Sequence, residues 1–252
     1  MYFDTHAHYD DEQFDADRDS LLDDIFAAGV ELIVNAGTDL ETSRFSLSLA
    51  EKYPFVYCAV GYHPEEADKL TDEGMAEIEK MLAHPRVRAI GEIGLDYHYA
   101  EPPREIQHAC LRRQLELARK TGKPVIIHDR DAHEDCMEAV FRHGGLRGVF
   151  HCFSGSAEMA KELLRRGWYL GFDGPITYKN NKKAAEVVAV TPPERMLIET
   201  DSPYLSPVPY RGQRNDSTHL PAVLEKLAGL TGLSADALEA QTWENAVRLF
   251  GI

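Results

Sequence analysis

Two histidines near the start of the chain have a spacing that could bind a metal ion. His6 and His8 stand two residues apart in the segment MYFDTHAHYD. In a β-strand, residues at this spacing point to the same side, so a strand through this segment would aim both imidazoles at one point. Two converging nitrogen donors supply half of a metal site, whereas the same pair could also be part of a solvated chain end. The choice between these interpretations depends on the ligands that the rest of the chain supplies.

Further metal-binding side chains occur where apolar runs of the sequence end. The four candidates are Glu92 in GEIGLD, His128 in IIHDR, His151 in FHCFSG and Asp201 in ETDSPYL. A carboxylate buried without a cation, as Glu92 would be after its apolar run, costs several kcal/mol. Each of the two histidines could instead be a hydrogen-bonded core residue, but the four candidates together with the opening pair favour a metal site.

The six residues offer four nitrogens and two carboxylates, which exceeds the three protein ligands of a single catalytic zinc ion. Two divalent ions bridged by one carboxylate would use the whole set. The predicted assignment is Glu92 as the bridge, His6, His8 and Asp201 on one ion, and His128 and His151 on the other. Two such ions polarise an ester or phosphoryl oxygen and lower the pKa of water, so the predicted chemistry is hydrolysis, with Asp201 accepting the proton of the water. The histidines favour Zn²⁺ or Mn²⁺ as the cofactor.

Side chains in neighbouring loops could contact a phosphate substrate. His63 in GYHP would lie over the same site, and Arg130 shares the strand parity of His128. The other predicted contacts, all in loops expected on the same side, are Lys179, Tyr204, Arg211 and Arg214. Cations there could neutralise phosphates, although exposed loop arginines often have no such role. Asp4 has the parity of His6 and is a candidate hydrogen-bond partner behind the ligands.

Eight short β-rich runs, separated by stretches of helical periodicity, would position these residues. The predicted strands are residues 2–6, 32–36, 56–60, 87–90, 125–128, 148–151, 169–172 and 196–199. This α/β alternation, with no linker inside it, predicts one (β/α)8 TIM barrel domain over residues 1–252 with an additional C-terminal helical segment at 234–250. An open, doubly wound sheet is the chief alternative. In a barrel the reactive groups lie at the C-terminal ends of the strands, where polar or glycine-rich segments recur here.

Composition limits the classes of function. With 252 residues, 44% hydrophobic and 27% charged, the chain can bury a substantial core. The net charge of −15 disfavours non-specific binding to nucleic acid or to an anionic membrane, and a run of six acids between Asp10 and Asp19 would repel a broad duplex. Four widely separated cysteines predict neither a disulfide scaffold nor a zinc knuckle. No leader or membrane-spanning run is apparent, so the expectation is a cytoplasmic protein with no membrane partner.

The segments that carry these candidates resemble one known family. THAH, VGYHP, GEIGLDY, PVIIHDRDA, HCFSG, GPITYK, ETDSPYL and PYRGQRN follow one another as in the TatD family of metal-dependent deoxyribonucleases, within the amidohydrolase-like barrels. The resemblance runs from Phe3 to about Asn245. It implies a TIM barrel with two divalent ions, Mg²⁺ among the possible ones, on the six ligands named above. It also implies hydrolysis of DNA phosphodiester bonds, commonly from a 3′ end, with single strands or free 3′ ends of DNA as partner and RNA as a further substrate.

Two other functions fit the same residues. A small-molecule amidohydrolase or phosphoesterase could use the same ions, because one fold hosts many reactions. The acidic composition and the few aromatics among the basic residues support it, since proteins that bind single strands usually present stacking aromatics. A non-catalytic, metal-bound scaffold is the third hypothesis, and the complete ligand set weighs against it.

Overall fold

The computed structural model describes all residues from Met1 to Ile252. The chain forms two compact units. Unit 1 comprises Met1–Asn35 and Cys152–Arg248, and unit 2 comprises Ala36–His151 and Leu249–Ile252. A single domain over residues 1–252 therefore stays a prediction.

Eight strands alternate with helices along the chain and follow one another in sequence order in one parallel sheet. The strands are β1 (Tyr2–Ala7), β2 (Val30–Ala36), β3 (Val56–Val60), β4 (Val87–Asp96), β5 (Val125–Arg130), β6 (Gly148–Phe150), β7 (Tyr169–Phe172) and β8 (Met196–Ile198). This is the (β/α)8 architecture, and it confirms the predicted fold class. Helices on a parallel sheet explain why several of these strands are continuous apolar runs.

Nine α-helices accompany the strands. They are α1 (Arg18–Ala27), α2 (Leu40–Lys52), α3 (Asp72–Met81), α4 (Arg104–Thr121), α5 (His133–Arg142), α6 (Ala157–Arg165), α7 (Lys183–Val190), α8 (Leu220–Thr231) and α9 (Ala235–Phe250). The last is the predicted C-terminal segment, which begins one residue later than expected. No helix combines the length and the apolar character needed to cross a membrane.

In unit 1, β1 is flanked on both sides. It pairs in parallel with β2, where Asp4 faces Ile33, and Ala7 bridges to Ser202 just after β8. Helix α9 joins the same unit, because the Trp243 ring packs edge-on against Phe3 with centroids 5.8 Å apart. The strand that carries the opening histidines is thus held inside the sheet and is not a free chain end.

In unit 2, β4 is six residues longer than predicted. The pairing with β5 resumes after a register break between Ile90 and Ile93 and continues to Asp96, which faces Arg130. Gly94 permits this close pairing, because an added Cβ would lie 1.9 Å from the carbonyl oxygen of His128. The prediction ended the strand at Ile90, and the glycines and acids of GEIGLD are residues that strands usually disfavour. The extension places the acids of this segment on a strand.

Candidate metal sites

The first ligand set lies in unit 1, where β1 and the segment after β8 bring three predicted ligands together. The Nε2 atoms of His6 and His8 are 3.0 Å apart, and Asp201 Oδ1 lies 3.4 Å from each of them. The side chains of His6, His8 and Asp201 are 0%, 9% and 14% exposed. The carboxylate therefore forms the more open side of the set.

The spacing of these three donor atoms fits a divalent ion. Bonds of 2.0–2.1 Å in a tetrahedral site place neighbouring ligand atoms about 3.3–3.4 Å apart. The three observed separations are 3.0, 3.4 and 3.4 Å. Two imidazole nitrogens and one carboxylate oxygen are also a donor set that suits Zn²⁺, Mn²⁺ or a related ion.

Two backbone hydrogen bonds lock β1 against the segment after β8. The His8 N–H donates to Ser202 O over 2.7 Å, and the Asp201 N–H donates to His6 O over 2.9 Å. Asp201 has a φ of 58°, a left-handed conformation that non-glycine residues rarely adopt outside sites under functional constraint. Main-chain bonds between the ligand-bearing residues thus fix the three side chains relative to one another.

Asp4 lies behind this set and connects three segments of unit 1. Its carboxylate accepts hydrogen bonds from Thr200 N (3.0 Å), Thr200 Oγ1 (2.6 Å) and Ser217 Oγ (2.6 Å). It also accepts a bond of 3.3 Å from the His6 N–H. Complete burial raises the pKa of Asp4 to about 6, although these hydrogen bonds oppose the rise. Asp4 therefore supports the backbone of a candidate ligand, close to the role predicted for it.

The second ligand set lies in unit 2 and contains the other three predicted ligands. Glu92 Oε1 is 2.8 Å from His128 Nδ1 and 2.6 Å from His151 Nε2. The two imidazole nitrogens are 3.3 Å apart. Glu92 and His151 are buried, and the His128 side chain is 16% exposed. One carboxylate oxygen between two nitrogens is again a donor set for a divalent ion, and the bridging role of Glu92 stays a prediction.

Asp96, which sequence reasoning missed, holds the opposite side of the His128 ring. Its Oδ2 lies 2.9 Å from His128 Nε2, so the imidazole is placed between two carboxylates. Burial alone would lower the pKa of His128, but the hydrogen bonds to Asp96 and Glu92 raise it to about 9. Carboxylates in this position orient metal-binding histidines. Asp96 lies four residues after Glu92 and so shares its strand parity. This parity was the signal in the sequence that could have indicated Asp96 as a site residue.

Gln107 of α4 fixes the backbone at Asp96. Its Oε1 accepts the Asp96 N–H over 2.9 Å, and its Nε2 donates to Asp96 O over 2.8 Å. Burial opposes the charged form of Asp96, yet the bonds from His128 and from the His98 N–H hold its pKa below the ordinary value. An ionised Asp96 is the state that accepts a proton-bearing nitrogen of His128.

His63 lies at the edge of the second set. Its Nε2 is 3.7 Å from Glu92 Oε1, and its ring centroid is 4.3 Å from that of His128. The His63 Nδ1 accepts the Glu65 N–H over 3.2 Å, so the proton of the neutral ring resides on Nε2. A protonated Nε2 can donate a hydrogen bond, and loss of its proton would let His63 join Glu92 and His128 in holding an ion. This tautomer agrees with the predicted role in contacting substrate.

Two of the other predicted substrate contacts, Tyr204 and Arg130, have exposed side chains. Tyr204 is 48% exposed, and its ring centroid is 6.4 Å from that of His8. Arg130 is exposed at the end of β5 beside Tyr99, with its guanidinium 5.4 Å from the ring centroid. Tyr204 is therefore the one of these contacts that the structure brings beside a ligand set.

Of the three basic substrate contacts predicted in the loops of unit 1, only Arg214 pairs with an acid. Its guanidinium donates two hydrogen bonds, of 2.8 and 2.6 Å, to Asp17 and one to Gln13 O. Lys179 and Arg211 are exposed and form no ion pair. The predicted substrate role of Arg214 would require it to leave Asp17, whereas the other two side chains are available as they stand.

Internal contacts use much of the acidic run that precedes α1. Asp11 caps the short helix Glu12–Phe14 and accepts a hydrogen bond from the Tyr204 hydroxyl. Asp15 pairs with Arg18, and Asp17 pairs with Arg214. These contacts lower the repulsion that the sequence predicts at this loop.

Two further buried carboxyls lie near the first ligand set. Glu199 accepts the Cys152 N–H over 2.5 Å, and its other oxygen is 3.2 Å from Thr5 Oγ1. Burial raises the pKa of Glu199 to about 7, and burial beside Glu199 raises that of Asp173 well above its ordinary value. Asp173 thus favours the neutral form, which limits the negative charge around the ligand set. Sequence reasoning placed Glu199 at a strand end and assigned it no role.

The fold and the two sets of histidines and carboxylates define a class, that of barrel hydrolases that use divalent ions. Comparisons with known proteins identify the family within this class. A family model described as "TatD related DNase" matches residues 3–251. The uncharacterized metal-dependent hydrolase YabD of Bacillus subtilis is 44% identical over 254 residues, which cover all of both chains. The chain therefore belongs to the TatD family of metal-dependent hydrolases.

Two further relatives carry information on activity and fold. The 3′-5′ ssDNA/RNA exonuclease TatD of Cronobacter turicensis is 36% identical across 98% of this chain and 97% of its own. The crystal structure of YjjV, a TatD homologue from Escherichia coli K12, is 33% identical and superposes with a TM-score of 0.94, covering 100% of this chain and 98% of its own. The family resemblance inferred from the sequence is confirmed.

Proposed function

We propose that this chain hydrolyses phosphodiester bonds of single-stranded DNA from the 3′ end with two divalent ions, one on each ligand set. The observation that carries the proposal is the spacing of 3.0–3.4 Å between the donor atoms of His6, His8 and Asp201. The second set repeats this chemistry with Glu92 and two histidines. The Cronobacter relative, named as a 3′-5′ ssDNA/RNA exonuclease, supports the substrate class and the polarity.

Bound ions would supply Lewis-acid stabilisation of phosphoryl oxygens and a lower pKa for the attacking water. The chain's own residues then have distinct tasks. Asp201, the most open member of its set, orients the water and accepts its proton. His63 donates from Nε2 to a phosphate or leaving-group oxygen, because its Nδ1 already accepts a backbone N–H. Asp96 keeps the His128 ring in place and directs its Nδ1 toward Glu92.

A labelled single strand tests this function. Metal-reconstituted protein is incubated with a 5′-labelled DNA oligonucleotide, with Glu92→Gln in parallel. The expected product is a ladder of labelled fragments that shorten one nucleotide at a time, and we expect the Glu92→Gln variant to produce none. Immediate release of the labelled nucleotide would show that the chain degrades DNA from the 5′ end instead. Intact DNA with every divalent ion, alongside turnover of a small ester or amide, would favour the small-molecule hydrolase instead.

RNA cleavage and a cytoplasmic location stay predictions. The RNA prediction can be checked in the same assay with a matched oligoribonucleotide. A ladder of equal rate would extend the substrate class to RNA, and its absence would restrict the chain to DNA.

A further inference from the structure

An open groove of unit 1 lies beyond the first ligand set. Its volume is about 410 Å³, and its walls include Tyr178, Leu205, Ser206 and Arg211. This volume is within the usual range of ligand-binding clefts. Apart from Arg211, which was predicted to contact substrate, the function argued above uses none of these residues.

One wall of the groove is a tyrosine covered by an arginine. The Arg211 guanidinium carbon lies 4.1 Å from the centroid of the Tyr178 ring. The Tyr178 hydroxyl donates to Ser206 O over 3.0 Å, and Thr177 Oγ1 accepts the Val208 N–H over 2.8 Å. These bonds fix the ring against the loop after β8. An exposed guanidinium on an aromatic ring forms a planar, cationic surface on which a nucleobase can stack.

The chain next to Tyr178 is locally basic. The segment Tyr178–Lys183 reads YKNNKK, and no acidic residue occurs between Gly174 and Ala185. Its lysines, Lys179, Lys182 and Lys183, are exposed and form no ion pair. In a chain with a net charge of −15, an unpaired cluster of this kind marks a surface that complements a polyanion.

The groove is connected to the first ligand set through a single loop. The Tyr204 N–H donates to Asp201 O over 2.9 Å, and Leu205 and Ser206 follow directly. Tyr204 and Leu205 are 48% and 38% exposed, so the loop offers an apolar path from the ligands to the groove. A strand whose end lies at Asp201 would meet this path next.

From these contacts we infer that the groove binds the segment of single-stranded DNA adjoining the cleaved end. A base stacks on the Arg211–Tyr178 pair, and phosphates contact the lysines of the YKNNKK segment. Stacking requires an unpaired base, so the groove selects single strands over duplexes. This inference rests on the proposed function and adds to it the surface that holds the substrate.

Binding to the holoenzyme tests the inference. The probe is a fluorescent, nuclease-resistant phosphorothioate strand of twelve nucleotides, measured by anisotropy. Tyr178→Ala and Arg211→Ala are each expected to weaken binding about tenfold, whereas Tyr178→Phe keeps the ring and most of the affinity. Turnover of bis(4-nitrophenyl) phosphate, which has no base to stack, reports the metal sites separately. We expect both Tyr178 variants to retain this turnover.

The lysines are tested by salt dependence, because exposed lysines can be replaced without disturbing the fold. Replacing Lys179, Lys182 and Lys183 by glutamine is expected to reduce the slope of log Kd against log salt by about 2. Lys226→Gln, an exposed and unpaired lysine on α8, is the control and should leave the slope unchanged.

Three results would overturn the inference. They are unchanged affinity in both alanine variants, a salt slope in the lysine variant equal to that of the control, and equally tight binding of a duplex of the same length. The proposed function fails separately, if the holoenzyme leaves single-stranded DNA intact with every divalent ion. The two failures are therefore distinguishable.

Discussion

At the scale of single residues, the second ligand set depends on Asp96, an acid outside the set that contacts it through His128. Asp96 accepts a hydrogen bond from His128 Nε2, while His128 Nδ1 points to Glu92 Oε1. The ring is thereby held in one orientation, with Nδ1 directed toward the second ligand set. Residues such as Asp96 influence the chemistry through the position and basicity of a ligand.

Replacing Asp96 by asparagine should lower metal affinity and turnover about 10- to 100-fold, because His128 loses its charged partner. The measurements are metal titration and turnover of bis(4-nitrophenyl) phosphate over a range of ion concentrations. Glu79→Gln, which removes an exposed carboxylate of α3, is the control and should match the parent. Parent-like metal affinity in Asp96→Asn would contradict this role.

The two sets of three side chains could be predicted to converge because each member lies at or near the end of a predicted strand, where parity and topology fix its direction. Their role as metal ligands stays a prediction. Asp96 could not be assigned in the same way, since the predicted strand ended at Ile90. The tautomer of His63 could not be predicted either, because it is set by a hydrogen bond that the Glu65 N–H donates to Nδ1.

At the scale of elements, the length of β4 positions the candidate ligands of unit 2. The strand continues through GEIGLD because Gly94 allows β5 to approach closely, which aligns Gly94 with His128. The sequence predicted that a strand occurs here but not where it ends, since glycine is disfavoured in strands unless a close approach requires it.

Gly94→Ala should destabilise the protein by about 1–3 kcal/mol, because the new methyl group would overlap the His128 carbonyl. Displacement of His128 should also weaken metal binding. Gly229→Ala is the matched control, since nothing lies within 4 Å of its added Cβ in α8, and it should stabilise by about 0.5–1 kcal/mol. Urea unfolding of both variants measures the difference, and equal effects would refute the packing argument.

The stability contributed by the cap at the N-terminus of α2 is predicted to depend on pH. Asp39 caps this helix by accepting the Thr42 N–H over 2.9 Å, and Lys69 Nζ lies 3.2 Å away. Partial burial opposes the charge, yet these contacts lower the pKa of Asp39 below 3.8. The stabilisation is therefore fully present above pH 3.8 and is lost as the pH falls below it.

Asp39→Ala should cost about 1 kcal/mol at neutral pH, and the difference from the parent should shrink in acid as Asp39 is protonated. Asp39→Asn retains a capping oxygen and should therefore lose less stability than Asp39→Ala. Unfolding free energies at neutral pH and below pH 3.8 measure both effects. A difference that is independent of pH would contradict the assigned charge.

At the scale of the whole molecule, the proposed ligands are spread from His6 to Asp201, yet each unit brings the donor atoms of three of them within 3.4 Å of one another. The charge is equally uneven, since a strongly acidic chain carries an unpaired basic segment in unit 1. The sequence predicted the fold class because strand and helix periods alternate throughout. The aromatic and basic pairing of Tyr178 with Arg211 could not be predicted, because it joins residues of two separate loops.

The number of ions that activity requires tests the central claim most directly. Metal-free protein receives Mn²⁺ or Zn²⁺ in steps, and the rate of single-stranded DNA cleavage is measured against the ions bound per chain. The account predicts little cleavage up to one bound ion and full cleavage at two, one for each ligand set. Full activity with a single bound ion, or cleavage by the metal-free protein, would contradict it.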